Sequence, residues 1–328
     1  MNFFNLSNVT GQTVPPALSN VLSRLNNNVL QPIPPASSIQ LPSHARLFQL
    51  RHLQQAGLVN DGNACCLLSL ILTCHMMNLK IHMFAATTDV RSLMFRRVLE
   101  ALPCPQSFSV QLFISVWNTV RHGYQIGQNE DIQSLSDGIF AQLILPNSPA
   151  GSPVITKFLA SYVCHHCGFS EDNLEDWEPK SYSKIPIINI SQQNQPLGIG
   201  ALLTDFVRLV FEIRCSSCNR RTHGRYEVDK GKFTLIRFNR IDNTFTNVVR
   251  TRLSDARTGV FGEQLIGSLI SCVSHIGNVQ GGHYVSYHKI RNQWYRNSDD
   301  NQIQLVNYHP FDCPNSIETV NYVVYDNS

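Results

Sequence analysis

Two hydrophobic periodicities divide the chain near residue 150. Before that point apolar residues recur at helical spacing. Residues 45–56 (ARLFQLRHLQQA) read as a helix, and the stretch from Cys65 to about Asn78 is apolar around nearly its whole circumference, as in a central buried helix. Residues 88–101 open on a Thr/Asp cap signal, and 107–118 (SFSVQLFISVWN) and 127–145 continue the helical pattern. In the last of these Ile132, Leu135, Ile139, Phe140 and Ile144 fall on one face. After the NSPAGSP turn the pattern changes. ITKFLASYVCHHC, KIPIINIS, DFVRLVFEIRC, GKFTLIRFN, GSLISCVSH, HYVSYHKI, QWYRN and ETVNYVVYD are rich in Val, Ile, Tyr, Phe and Thr, with Gly, Asn or Asp between them. They predict a largely antiparallel β half, with one short helix at 202–209. The expected fold class is α+β, and no repeat of 20–50 residues interrupts it. Residues 1–44, rich in Asn, Ser and Pro, read as a poorly ordered tail.

Composition narrows this picture. The 328 residues are 43% hydrophobic, enough for a sizeable core. Net charge is +3, from 26 basic and 23 acidic residues, too balanced to point to nucleic acid. No run approaches the roughly 18 apolar residues of a membrane span. The N-terminus lacks the basic and apolar regions of a signal peptide. The expectation is a soluble monomer of the cytoplasm or nucleus, whose ten cysteines serve metal binding or catalysis rather than disulfides.

Three clusters carry candidate chemistry. In GLVNDGNACCLLS, turn residues run into the apolar helix, so Cys65 sits at a helix N-terminus, where free N–H groups and the helix dipole favour a thiolate. Asn60, five residues upstream, has an amide suited to an oxyanion. A lone cysteine at this kind of position is usually an ordinary core residue, and other clusters must change that balance. Cys164-His-His-Cys167 and Cys215-Ser-Ser-Cys218 are two C-x-x-C knuckles in β surroundings. Four thiolates make a closed structural Zn2+ site with no open position for catalysis; His165 and His166, between ligands, are expected to face solvent. Finally, Gly281-Gly282-His283-Tyr284 begins a strand, and Trp294-Tyr295 followed by Asn297-Ser298-Asp299-Asp300 completes a hairpin. The glycines let a backbone or a substrate strand pass closely, and a carboxylate one strand away would orient His283 toward Cys65, as in Cys-His-Asp hydrolases.

Together these stretches resemble the ubiquitin-specific protease family of papain-like cysteine proteases. GLVNDGNACCLLS is similar to the family box GLxNxGNTCYxNS, and GGHYVSYHKIRNQWYRNSDD to its histidine box. EDIQSLSDGIFAQL is a softer match to the QQDAQEFL helix, and the knuckles match the family's zinc-bearing fingers in order and approximate spacing. The resemblance covers about residues 50–327. It implies a helical thumb (about 45–150), zinc-ribbon fingers (about 160–230) and a β palm (about 230–328). It also implies Cys65 as nucleophile, Asn60 as oxyanion amide, His283 as general base and Asp299 as the third member. The substrates would be ubiquitin or a ubiquitin-like modifier and its protein conjugates.

The chain departs from the boxes at several points. Cys66 replaces the usual Tyr, Leu68 an Asn, Leu72 a Gln and Ser134 a Glu, and the segment between Trp294 and the Asp pair is one residue longer. Without a gap, Ser298 rather than Asp299 would fall on the third position, with Asp300 beyond. The differences mark a divergent member. Two alternatives stay open: a protease for another modifier such as SUMO, and a pseudoenzyme that binds a modifier without cleaving it.

Overall fold

The structure, a computed structural model, describes residues 58–59, 65–77, 108–109, 136, 154–172, 185–242, 244–298 and 303–328. The tail, the helices expected at 45–56 and 88–101, and most of those at 107–118 and 127–145 lie outside the described residues, as do Asn60, Asp299 and Asp300.

The helical half begins with a short parallel pair, β1 (Leu58–Val59) with β2 (Phe108–Ser109). The start of the 107–118 stretch is therefore strand, contrary to the helix its periodicity predicts; a backbone partner far upstream outweighs the local pattern. Helix α1 runs from Cys65 to Met76, close to the predicted span. It is mostly apolar and lies on the face of the large sheet.

Among the described residues the β half contains three sheets, one of them a two-stranded parallel pair of Leu197–Gly198 with Leu253–Ser254. The strands, in chain order, are β3 (Lys157–Val163), β4 (Ser170–Asp172), β5 (Ile187–Asn189), β6 (Leu197–Gly198), β7 (Phe211–Arg214), β8 (Arg221–Asp229), β9 (Phe233–Asn239), β10 (Leu253–Ser254), β11 (Ser268–Asn278), β12 (Gly281–Ile290), β13 (Gln293–Asn297), β14 (Ile303–Val306) and β15 (Glu318–Asp326). Helix α2 spans Ile199–Arg208 and α3 Val260–Leu265. The seven-stranded sheet has the order β14-β13-β12-β11-β15-β9-β5. Its pairs are antiparallel except β5 with β9. β4-β3-β8-β7 form a separate antiparallel sheet.

Both faces of the large sheet are used. Leu203 of α2 packs with Phe238, Leu269, Val285, Tyr287, Val323 and Tyr325 in one core. The buried positions of α2 include Ile199, Leu203 and Val207, a single stripe at i, i+4, i+8. α1 covers the other face, with Met76 packed on Ile290 and Tyr295. β9 is buried along both faces, with Thr234 and Arg237 among its apolar residues.

The predicted strands at KFLASYV, IIN, FTLIRFN, SLISCVSH, HYVSYHKI, QWYRN and ETVNYVVYD are all present. DFVRLVFEIRC divides: Asp205–Arg208 complete α2, and only Phe211–Arg214 is strand. β8 is not apparent in the sequence because its fully buried positions are Thr222 and Gly224, small residues with no hydrophobic alternation. Arg291 and Asn292, both at positive φ (50° and 65°), make the tight β12–β13 turn. This is the hairpin geometry whose twist matches that of the strands.

Candidate active site and cysteine cluster

The N-terminal end of α1 meets the start of β12. The Tyr284 backbone N–H donates to Cys65 Sγ at 3.4 Å, although the two residues are 219 apart in sequence. Cys65 is partly exposed, whereas its neighbour Cys66 is buried at 2%. The structure thus presents the first cysteine of the tandem, not the second, beside the strand that carries His283. An amide N–H aimed at sulfur favours the thiolate over the thiol.

His283 is half-buried, and its Nε2 lies 3.0 Å from Ser298 Oγ. Ser298 directly follows β13, so β12–β13 pairing brings this contact about. A bond at Nε2 leaves Nδ1 as the proton-accepting nitrogen when Nε2–H is the donor. A hydroxyl can also donate to Nε2, which a carboxylate cannot, so it holds the tautomer less strictly than an aspartate does.

A second histidine, not singled out by the sequence, completes this corner. His275 on β11 pairs in register with Tyr284, and their ring centroids are 4.8 Å apart. Burial, then the Arg250 and His283 charges, hold its imidazole below the ordinary value, so it favours the neutral form. His275 also corrects the expectation that Gly282 leaves room for a substrate backbone. A Cβ on Gly282 would run into the His275 imidazole and the Ile276 carbonyl. The close approach that requires glycine here is made by the chain itself. Its signal is the HIG triplet six residues before the GGHY run, a histidine two residues before a glycine that adopts φ +150°.

Between the sheet faces, Arg237 of β9 is fully buried and donates from Nη1 to Ser136 Oγ at 3.2 Å. Ser136 is helical and buried, in the stretch that resembles the family's third box. This contact ties Ser136 to β9, the strand next to the β5 edge of the large sheet.

The knuckle cysteines sit at the far end of the smaller sheet. Sγ of Cys164 and Cys218 are 3.6 Å apart, those of Cys167 and Cys215 3.7 Å, and all four sulfurs lie within 4.8 Å of one another. Tetrahedral Zn–S bonds of about 2.3 Å give an S···S edge of about 3.8 Å. The four cysteines could therefore hold a zinc ion, with two of their S···S distances already at that edge length. The two turns close in the same way. Gly168 N–H donates to Cys164 O and Asn219 N–H to Cys215 O, each at 2.8 Å. The residue after each second cysteine takes positive φ, Gly168 at 72° and Asn219 at 57°. Glycine and asparagine are the residues that tolerate this conformation. Burial opposes ionisation of Cys215. The N–H groups of Cys218 and Ser217 and the sulfurs of Cys164 and Cys167 outweigh it, lowering the thiol to about 6. His165 and His166 are exposed, and neither belongs to the cluster.

Comparison with known families gives one match. Residues 204–312 fit the model described as ubiquitin carboxyl-terminal hydrolase. The matched segment includes the second knuckle, His275, His283 and Ser298; Cys65 and the first knuckle precede it. The match supports a cysteine protease of the ubiquitin-specific protease family, and with it a papain-like fold and a thiol hydrolase acting on ubiquitin or ubiquitin-like substrates. No curated protein matches the chain. Among the described residues, no helix is long and apolar enough to cross a membrane.

Proposed function

We propose that the chain is a deubiquitinating isopeptidase that cleaves after the C-terminal glycine of ubiquitin, with Cys65 as nucleophile and His283 as general base. The observation that carries this reading is the 3.4 Å contact between Cys65 Sγ and the amide of Tyr284, the residue after His283. A buried structural cysteine has no reason to lie partly exposed at the start of a helix, against the strand that carries this histidine.

In this mechanism the Cys65 thiolate attacks the glycine carbonyl carbon and the C=O π electrons move to oxygen. The Asn60 amide and the Cys65 N–H stabilise that oxyanion. The intermediate collapses, the C–N bond breaks, and His283 gives its proton to the departing lysine amine. Water, deprotonated by the now neutral His283, then attacks the thioester and releases the modifier. The segment Ser298-Asp299-Asp300 orients the imidazole. Asp299 is the expected carboxylate of a Cys-His-Asp triad, and Ser298 contributes the contact at Nε2. The Cys164, Cys167, Cys215 and Cys218 site holds Zn2+ as a structural ion at the tip of the fingers. Residues 45–150 form the thumb, about 160–230 the fingers and about 230–328 the palm of a protein that acts as a monomer in the cytoplasm or nucleus.

The test is covalent labelling with ubiquitin and SUMO C-terminal electrophile probes, on the wild type and on Cys65→Ala, Cys66→Ala and His283→Ala. The expected result is a ubiquitin adduct at Cys65, lost in Cys65→Ala and retained in Cys66→Ala, with His283→Ala abolishing turnover of a ubiquitin-conjugated fluorophore. Labelling by the SUMO probe alone would reassign the modifier. Binding of either modifier with no adduct would make the chain a pseudoenzyme.

A further inference from the structure

A buried polar seam joins the helix that carries Cys65 to the strands that carry His275 and His283. α1 has two hydroxyl side chains, Ser69 and Thr73, both buried among mostly apolar residues. Thr73 Oγ1 donates to Ser69 O at 2.8 Å and lies 3.4 Å from Ser271 Oγ on β11. Ser271 Oγ lies 3.1 Å from Tyr287 O, to which it donates, and 3.0 Å from Nδ1 of His288 on β12. His288 Nε2 lies 3.0 Å from Ser286 Oγ. Ser271, Ser286 and His288 are all 0% exposed. The Ser271 proton goes to the Tyr287 carbonyl, so Ser271 Oγ accepts from Nδ1–H of His288 and takes a three-centre share of the Thr73 proton, and Nε2 of His288 accepts from Ser286.

We propose that His288, through Ser271 and Thr73, is a positioning residue that fixes the rotation and axial register of α1 and so holds Cys65 against Tyr284. This rests on the reading of Cys65 as nucleophile. The geometry favours it in two ways. The apolar residues of α1 form no single stripe that would set its rotation; the buried contact of Thr73 with Ser271 is directional and supplies that setting. The spacing also fits. The eight residues from Cys65 to Thr73 rise about 12 Å along a helix. The four from Tyr284 to His288 span about 13 Å along a strand. The seam therefore meets the sheet four residues along β12 from the Cys65 contact, and both contacts form at once only in this register. A slip of one helical turn, about 5.4 Å, would break both.

The test compares Thr73→Val, Ser271→Ala and His288→Leu with His288→Gln, whose amide both donates and accepts. Three readouts are taken on the full chain. These are kcat and KM on a ubiquitin-conjugated fluorophore, the rate of iodoacetamide alkylation at Cys65 mapped by peptide mass, and the thermal midpoint. The first three variants should lower kcat at least about tenfold with KM within about twofold, and slow Cys65 alkylation by a similar factor. That is the upper end of what losing one neutral hydrogen bond costs. His288→Gln should recover most of both. Unchanged kcat and unchanged alkylation would overturn the proposal, even with a lower midpoint, because the seam would then be core packing alone. If His288→Leu does not fold, Thr73→Val and Ser271→Ala decide. A wild type inert to every modifier probe would overturn the function instead. Alkylation at Cys65 would still decide the seam in that case, upheld by a tenfold slowing and overturned by equal rates.

Discussion

Chelating the metal should unfold the smaller sheet from its tip inward and leave the large sheet intact. Apart from cysteine, the buried core at that tip holds only Tyr162 and Ile213; the other fully buried members are Cys164 and Cys215 themselves. Two such side chains contribute about 3–6 kcal/mol of apolar burial. A structural zinc held by four thiolates contributes about 10–16 kcal/mol in small domains, so an ion bound by these four cysteines would be the larger part of what orders the tip. The base of the same sheet has a different anchor. Phe206 of α2 lies 4.8 Å from Tyr226 of β8 and 6.0 Å from Phe158 of β3, between ring centroids. Phe158 is a buried member of the main core, and Tyr226 and Val228 pack against it. Loss of metal should therefore open residues 161–170 and 213–223 while 157–160 and 226–229 stay ordered. Hydrogen exchange by mass spectrometry, with and without a high-affinity zinc chelator, reads this directly. The expected result is loss of protection at the tip, a partial loss toward the base, and none in β11, β12 or β15. Protection of the tip that survives complete removal of one equivalent of zinc would refute the reasoning, as would a purified protein that contains no zinc yet keeps a protected tip.

Three further outcomes are expected. Ser298→Ala should lower kcat about tenfold with KM little changed, the effect of one lost hydrogen bond to a charged imidazole, and Asp299→Asn should cost more if the carboxylate is the stronger orienting group; equal activity of Ser298→Ala and wild type would remove Ser298 from the site. Tyr287→Phe removes the hydroxyl that donates to Glu318 Oε1 at 2.6 Å, where the Glu318 side chain is 2% exposed and Arg296 lies 3.8 Å away. It should destabilise the fold by about 1.5–3 kcal/mol in urea titration, the cost of a lost hydrogen bond to a buried charge, and an unchanged midpoint would contradict this. His275 has a folded pKa below its unfolded value, so the unfolded chain binds the extra proton first, and stability should fall as pH drops below about 6.5, by at most about 1.4 kcal/mol per pH unit. His275→Gln should flatten that part of the stability–pH profile, and an identical acid limb in the variant would assign it to another group.

How legible this molecule is in its sequence depends on whether the signal is local. The strands flanking the histidine box are readable because Val, Ile and Tyr alternate against Ser, His and Asn between turn residues, and β11, β12 and β13 fall where that pattern puts them. The cysteine cluster is readable because a knuckle is a local turn: each C-x-x-C brings its own αL residue, Gly168 or Asn219, and only the pairing of the two turns is non-local. The β1–β2 pair is not readable, since Phe108–Ser109 look like the first turn of a helix until Leu58–Val59 supply a partner. β8 is hidden for the converse reason: it buries Thr222 and Gly224, and Phe211 packs where a side chain on Gly224 would stand. At the candidate site the sequence supplies the chemical groups but not their contacts. A count along GGHYVSYHKIRNQWYRNSDD leaves Ser298 and Asp299 as rival third members, and β12–β13 register is what brings the Ser298 hydroxyl to Nε2. The same limit applies to Gly282. Glycine beside a histidine signals close approach, but the sequence is silent on what approaches. Here it is His275, on the partner strand of the same hairpin, so the glycine is required by the fold whether or not a substrate passes nearby. Gly282→Ala should therefore damage the site in the free protein, before any modifier binds.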